Sequence, residues 1–261
     1  MTDLQRYNGN FAQCLAQIMK AGQTPATAKQ VMRDRIKQGV KSDSYSKGTW
    51  IPENFNVVDG RILAARPEYN PLLKYAEQAV NCHRNNKEFY LTNNILLNEN
   101  PASQILSEIA EQDAKKAVKN KRVYDMGKSK THDVPTDSFA DDKGIVFLAQ
   151  GEKLAKEYGL FLKNEAGLPN VTFYLPLLSN KDYSIGFWLY SAAGDRSYFD
   201  GDSRNLDLGN GFLFGVRNSA EGTQKNLQVP TLKQIIEASK PFVSDDSREN
   251  FEARIRKLYK A

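Results

Sequence analysis

The sequence predicts an α+β fold. Helical apolar spacing recurs near both ends, short extended runs fill the middle, and stretches dominated by Gly, Asp, Asn and Ser separate them. Phe11, Cys14, Leu15, Ile18 and Met19 fall on one helical face, with Gly22 as a stop. Thr24 before Pro25 reads as an N-cap with proline at the first helical position. Val31, Met32 and Ile36 form the stripe of a second helix that ends at Gly39, so residues 1–41 are expected as a helical hairpin. From Gly48 to Pro71 the pattern becomes short extended pieces broken by Pro, Asn and Gly. Asn100-Pro101 opens an amphipathic helix carrying Ile105, Leu106, Ile109 and Ala117. A polar connection then leads to Ile145–Ala149 (IVFLA), which reads as a buried strand. Gly151 to Leu162 reads as a helix with Leu154, Tyr158 and Phe161 on one side, and Val171–Leu178 and Ile185–Tyr190 read as strands. Beyond Val229, helices are expected from Pro230 and from about Ser247. The expected plan is the hairpin 1–41, a central domain 42–229 of short strands, helices and long loops, and a helical tail 230–261. No period that marks solenoids or propellers recurs.

With 40% apolar and 26% charged residues, the 261-residue chain falls in the globular class. Two cysteines, Cys14 and Cys82, exclude a disulfide framework and an all-cysteine zinc site. No apolar run approaches the roughly 20 residues that span a bilayer, and the first residues lack the features of a signal peptide. The expected location is therefore cytoplasmic or virion-associated, with no membrane insertion. The net charge of +5 is unevenly spread. Residues 1–48 hold eight Lys/Arg against three Asp, and residues 101–130 hold seven against four acids. From Gly194 to Gly215 four Asp face two Arg. A nucleic-acid surface combines a basic stripe with interleaved aromatics, whereas here the aromatic-rich segment is acidic. Nucleic acid is thus the less favoured partner. It would require a contiguous patch including Lys29, Arg33, Arg35 and Lys37, with steeply salt-dependent binding.

Enzyme signatures are sparse. The phosphate-binding G-x-x-x-x-G-K-[ST] is missing, Gly209–Gly215 has one residue too many for G-x-G-x-x-G, and no nucleophile elbow occurs. His83 and His132 read as surface or satisfied histidines, and adjacency alone does not make Cys82 and His83 a dyad. Asp137, Asp141 and Lys143 loosely match part of a Mg²⁺-dependent nuclease site, which stands as a third reading. Asp200-Gly-Asp202-Ser-Arg204-Asn-Leu-Asp207 opens like a calcium loop. However, Arg204 takes the third ligand position, Asn205 replaces the glycine, and Gly211 stands where the bidentate Glu belongs. The sequence therefore points to no catalytic residue, metal or cofactor.

The most informative stretch runs from Leu189 to Ala220. It contains no Lys, Glu, Gln, Met or Trp, five types that supply 56 of the 261 residues. Phe187, Trp188, Tyr190, Tyr198, Phe199, Phe212 and Phe214 concentrate in and beside it. Aromatics mixed with Ser, Gly, Asn, Asp and a few Arg are the composition of adaptable binding surfaces, because Tyr gives large contacts at low entropic cost. A glycine-rich loop with inward aromatics is the competing reading.

The run from Gly186 to Arg217, GFWLYSAAGDRSYFDGDSRNLDLGNGFLFGVR, resembles the end of a C-type-lectin-fold domain of the formylglycine-generating-enzyme type. Phe187-Trp188-Leu189 matches the strand before the loop, and Gly215-Val216-Arg217 matches the closing strand. In particular it resembles variable proteins of diversity-generating retroelements, whose adenine-directed mutagenesis of AAC and AAT codons cannot produce Lys, Glu, Gln, Met or Trp. The chain has no Cys after Cys82, so the cysteine oxidase chemistry of enzymatic members is not implied. The resemblance implies a non-enzymatic recognition protein with a variable segment at about 189–217 and a protein or other macromolecular ligand. The implied ligand face is Tyr190, Ser191, Asp195, Arg196, Ser197, Tyr198, Phe199, Asp200, Asp202, Ser203, Arg204, Asn205, Asp207, Asn210, Phe212 and Phe214. Phe187, Trp188, Leu189, Leu206, Leu208, Leu213 and Val216 are expected to point inward.

Overall fold

A computed structural model of the chain describes residues 4–85, 87, 89–91, 101–111, 118–191, 197–201 and 206–217. In order these form β1 (Leu4–Gly9), α1 (Phe11–Lys20), β2 (Thr24–Pro25), α2 (Ala28–Gln38), α3 (Asp43–Ser46), β3 (Thr49–Val58) and β4 (Arg61–Ala65). There follow α4 (Pro71–Lys74), α5 (Ala76–Arg84), α6 (Pro101–Glu111), β5 (Val123–Gly127), β6 (His132–Pro135), α7 (Lys143–Ala149) and α8 (Glu152–Asn164). The last are β7 (Asn170–Tyr174), β8 (Tyr183–Ser191), β9 (Ser197–Asp200) and β10 (Gly211–Val216). Short 3₁₀ turns at Pro67–Tyr69, Val118–Asn120 and Thr136–Ser138 connect them. The helices expected from Pro230 and Ser247 lie outside the described residues.

The two N-terminal helices start where a side chain can satisfy their first amides. Asn10 accepts from the Gln13 amide at 2.9 Å, and the Gln13 side chain returns to the Asn10 amide at 3.1 Å. Thr27 and Gln30 form the same reciprocal box on α2. Thr24 and Pro25 are therefore not the cap. They form β2, paired with Val216 and Gly215 of β10. A strand precedes the hairpin as well, because residues 4–9 pair antiparallel with β10 along its whole length.

The strands join in the order β1-β10-β3-β8-β9-β7-β6, with β4 pairing both β3 and β5. Most neighbours are antiparallel, while β10 with β3 and β7 with β9 are parallel. Every residue of β3 is buried, because helices cover both faces of the sheet. Val31 and Met32 of α2 share one core with Phe147 of α7 and Leu154, Tyr158 and Phe161 of α8. Phe11, Leu15 and Ile18 of α1 meet Ala79 and Val80 of α5 in another, around Trp50 and Leu213. A smaller core sets Ile105 of α6 against Leu63 and Val123.

Ile145–Ala149 is helical, contrary to the strand expected there. Asp142 caps α7 by accepting from the Ile145 amide at 2.8 Å, and Gln150 closes it in the left-handed conformation at φ 57°. The helix is buried from Gly144 to Ala149, so its sequence is apolar all round and carries no amphipathic stripe to betray its period. Among the described residues no helix is long and apolar enough to cross a membrane.

Candidate ligand-binding face

β8 and β9 pair antiparallel with Leu189 opposite Phe199 and Tyr190 opposite Tyr198. β9 also runs parallel to β7, with Thr172 beside Tyr198 and Tyr174 beside Asp200. The period of two then divides the segment. Phe187, Leu189 and Phe199 point into the core, while Tyr198 and Asp200 flank Phe199 and are half-buried. The Tyr198 ring meets exposed Tyr174 edge to face, with centroids 5.6 Å apart.

Two residues of the expected ligand face are core residues. Phe199 is 2% exposed and packs among Phe139, Phe173 and Phe187 with centroids 5.7 to 6.4 Å away. Phe214 is also 2% exposed, because β10 is covered on both sides. Leu213 faces the α1 core, whereas Phe214 and Val216 face the α2 core. Among the expected inward residues, Phe187, Leu189, Leu206, Leu213 and Val216 are buried. Trp188 is half-buried, its indole edge to face with Trp50 at 4.9 Å. Leu208 instead lies 42% exposed in the turn before β10.

Between β9 and β10 the described chain resumes at Leu206, whose carbonyl accepts from the Phe11 amide at 2.9 Å and so anchors the loop to the start of α1. Asp207 lies 3.6 Å from Nε2 of His83, Asn210 is exposed, and Phe212 is half-buried with the Arg6 guanidinium 5.3 Å from its ring centre. Gly211 has a steric role: a Cβ there would lie 2.0 Å from the Trp50 ring. The backbone of Tyr190, Ser191 and Ser197 belongs to β8 and β9. Asp195, Arg196, Asp202, Ser203, Arg204 and Asn205 lie outside the described residues.

Sequence reasoning missed the neighbourhood of this face. Leu177 and Leu178, 69% and 43% exposed, follow Tyr174 in the chain, and Tyr183 Oη bonds the Leu177 carbonyl. Pro176 was the available signal, since it stops β7 short of the expected Leu178.

The other candidate chemistry is dispersed. Arg35 cannot join a basic surface patch, because it is fully buried. It donates to the Ser44 carbonyl at 2.6 Å, Tyr158 Oη at 2.8 Å and the Leu189 carbonyl at 3.1 Å. Asp137 binds Lys163 at 2.9 Å, and Lys143 sits 3.8 Å from Glu152. No group of three or more His, Cys, Asp and Glu is placed to hold a metal among the described residues. His132 bonds Asp142 at 2.9 Å and the Lys130 carbonyl at 2.8 Å. Burial lowers its pKa, but these bonds outweigh burial and hold it above the ordinary histidine value. Cys14 bonds the Tyr7 carbonyl at 3.3 Å, and burial pushes its thiol up to about 11. A thiol so held is a poor nucleophile.

No family model and no curated protein matches the chain. A solved structure described as "Accommodation of massive sequence variation in Nanoarchaeota by the C-type lectin fold" is similar at 14% identity and a TM-score of 0.57. The similarity covers 83% of this chain and 98% of that one. The fold is α+β of the C-type lectin kind.

Proposed function

We propose that this chain is a non-enzymatic recognition protein. Its C-type lectin fold presents a loop face from about 189–217 to a macromolecular partner, and a retroelement diversifies that face. The observation that carries the reading joins composition to position. The stretch 189–220 lacks the five residue types that adenine mutagenesis of AAC and AAT codons cannot produce. In the same stretch the described side chains of Tyr198, Asp200, Asp207, Asn210 and Phe212 lie outside the fully buried core. Leu189, Phe199, Leu213, Phe214 and Val216 hold the scaffold from within. A scaffold fixed from inside accepts new outward side chains at little cost in stability. The similar structure, described as accommodating massive sequence variation, supports the same reading.

The test is in the DNA beside the gene. A reverse-transcriptase gene and a near-copy of the codons for residues 189–217, differing chiefly at adenines, are the expected findings. Neighbouring DNA with neither would remove the retroelement from the proposal. A purified chain that binds one partner through Tyr198 and Phe212 would then keep recognition alone.

A further inference from the structure

One groove draws its wall from residues of both basic stretches, and no described residue of 189–217 lines it. It holds about 770 Å³ and is walled by α2, the turn at Val118, α7 and the start of α8. Lys29 and Arg33 come from the first basic stretch and Lys143 and Lys153 from the two later helices. Val118 belongs to the second basic stretch, AKKAVKNKR. Glu152 and Glu157, the acids of the wall, stand 3.8 and 3.9 Å from Lys143 and Lys153. Lys29 and Arg33 have no carboxylate partner among the described residues, and Lys29 Nζ bonds Gln150 Oε1 at 3.3 Å. Burial holds the Lys29 ammonium below the ordinary lysine range, and the nearby charges of Arg33 and Arg66 push the same way. Arg66 is itself buried, stacked 4.0 Å over Phe147. Its Nη1 and Nη2 lack hydrogen-bond partners among the described residues, and Glu53 Oε1 stands 3.9 Å from Nη1. α8 starts in the same wall with Gly151 at its N-cap and no side-chain cap, so its first amides donate to no capping side chain, with Glu152 as the acid of its first turn. The four described cations of the wall, Lys29, Arg33, Lys143 and Lys153, outnumber its two acids, which pair with Lys143 and Lys153 and leave the Lys29 and Arg33 side with a surplus of positive charge.

We infer that this groove binds a compact oligophosphate, a small molecule carrying several phosphate groups close together. Clustered cations and helix-terminal amides are the complement of phosphate oxygens. The groove falls within the about 300–1,000 Å³ typical of small-molecule sites. No aromatic lines it among the described residues, so it offers nothing on which a base would stack. Glu152 and Glu157 interrupt the positive wall along α8, which disfavours the continuous backbone of a nucleic acid.

Calorimetric titration of the full chain with inorganic tripolyphosphate tests the assignment. Saturable one-site binding that weakens with added salt is expected. Lys29→Gln combined with Arg33→Gln should weaken it by roughly tenfold or more. Lys163→Gln, which changes an exposed lysine outside the groove, should leave it unchanged. Melting curves without ligand should be the same for all variants. If the double variant melts early, Lys143→Gln alone, at a half-exposed position, should still weaken binding. Absence of saturable binding, or binding indifferent to these changes, would overturn the proposal. So would a short single-stranded DNA that binds more tightly and resists competition by tripolyphosphate.

Discussion

Tyr198 and Phe199 are adjacent in β9 and differ in what surrounds them. Phe199 sits within an aromatic cluster, whereas Tyr198 leans on Tyr174 beside the loop. Truncating a buried Phe costs roughly 3–5 kcal/mol, while a change at a solvent-facing site stays within about 0.5 kcal/mol. Thermal melts should therefore show a large loss for Phe199→Ala and a small one for Tyr198→Ala, and equal losses would place Tyr198 in the core. Glu53 makes a second prediction at this scale. It occupies the irregular step of β3 between Ile51 and Asn54, fully buried, and accepts from the Ala28 amide at 3.0 Å. Burial pushes its carboxyl up to about 7, against the Ala28 hydrogen bond and Arg66, from an ordinary value of 4.5. The folded chain thus holds this proton to higher pH than the unfolded chain does. Its contribution to stability falls as pH rises from about 4.5 to about 7 and is level above that. Glu53→Gln removes the titration, so melting temperatures across this window should shift in the variant's favour as pH rises. A constant offset between the two would refute the assignment.

At the scale of elements, α8 shows why local preference is a weak guide. Gly159 lies in its interior, where replacement by Ala would ordinarily gain about 1 kcal/mol of helix propensity. Here a Cβ would stand 1.9 Å from the Thr136 carbonyl oxygen, in the 3₁₀ turn packed on the helix. Gly159→Ala should accordingly lower the melting temperature, and a rise would mean that the turn yields. The legible helices were those with one dry face. α1 and α2 show their stripes because their outer faces carry Gln, Lys and Arg. α7 hid its period because both of its faces are dry, and β1 hid because LQRYNG buries only Tyr7 and Gly9 outright.

For the whole described unit, the first strand and the last described strand are partners. Leu4 pairs with Val216 and Gly9 with Gly211, so the chain's beginning covers one side of β10. Deletion of residues 1–9 should strip that side, lower the urea midpoint substantially and favour aggregation through the bared strand. An unchanged midpoint would mean that β10 holds without β1. The same strand explains the burial of Phe214, since β10 lies between β1 on one side and β2 and β3 on the other, with helices over both faces.

Residue types and their spacing determined the α+β class, the helices α1, α2, α6 and α8 and the strand around Phe187. They also marked the compositional break at Leu189, since each is a property of consecutive residues. Only the tertiary structure decided which aromatics of that segment are scaffold. Phe199 and Phe214 carry the same side chain as half-buried Phe212, and what separates them is how many layers cover each position. Nor could spacing show that Arg35, within a basic helix, would be drawn inward by Tyr158 and the Leu189 carbonyl. Burial of a side chain depends on partners more than a hundred residues away in the sequence, and local pattern carries no record of them.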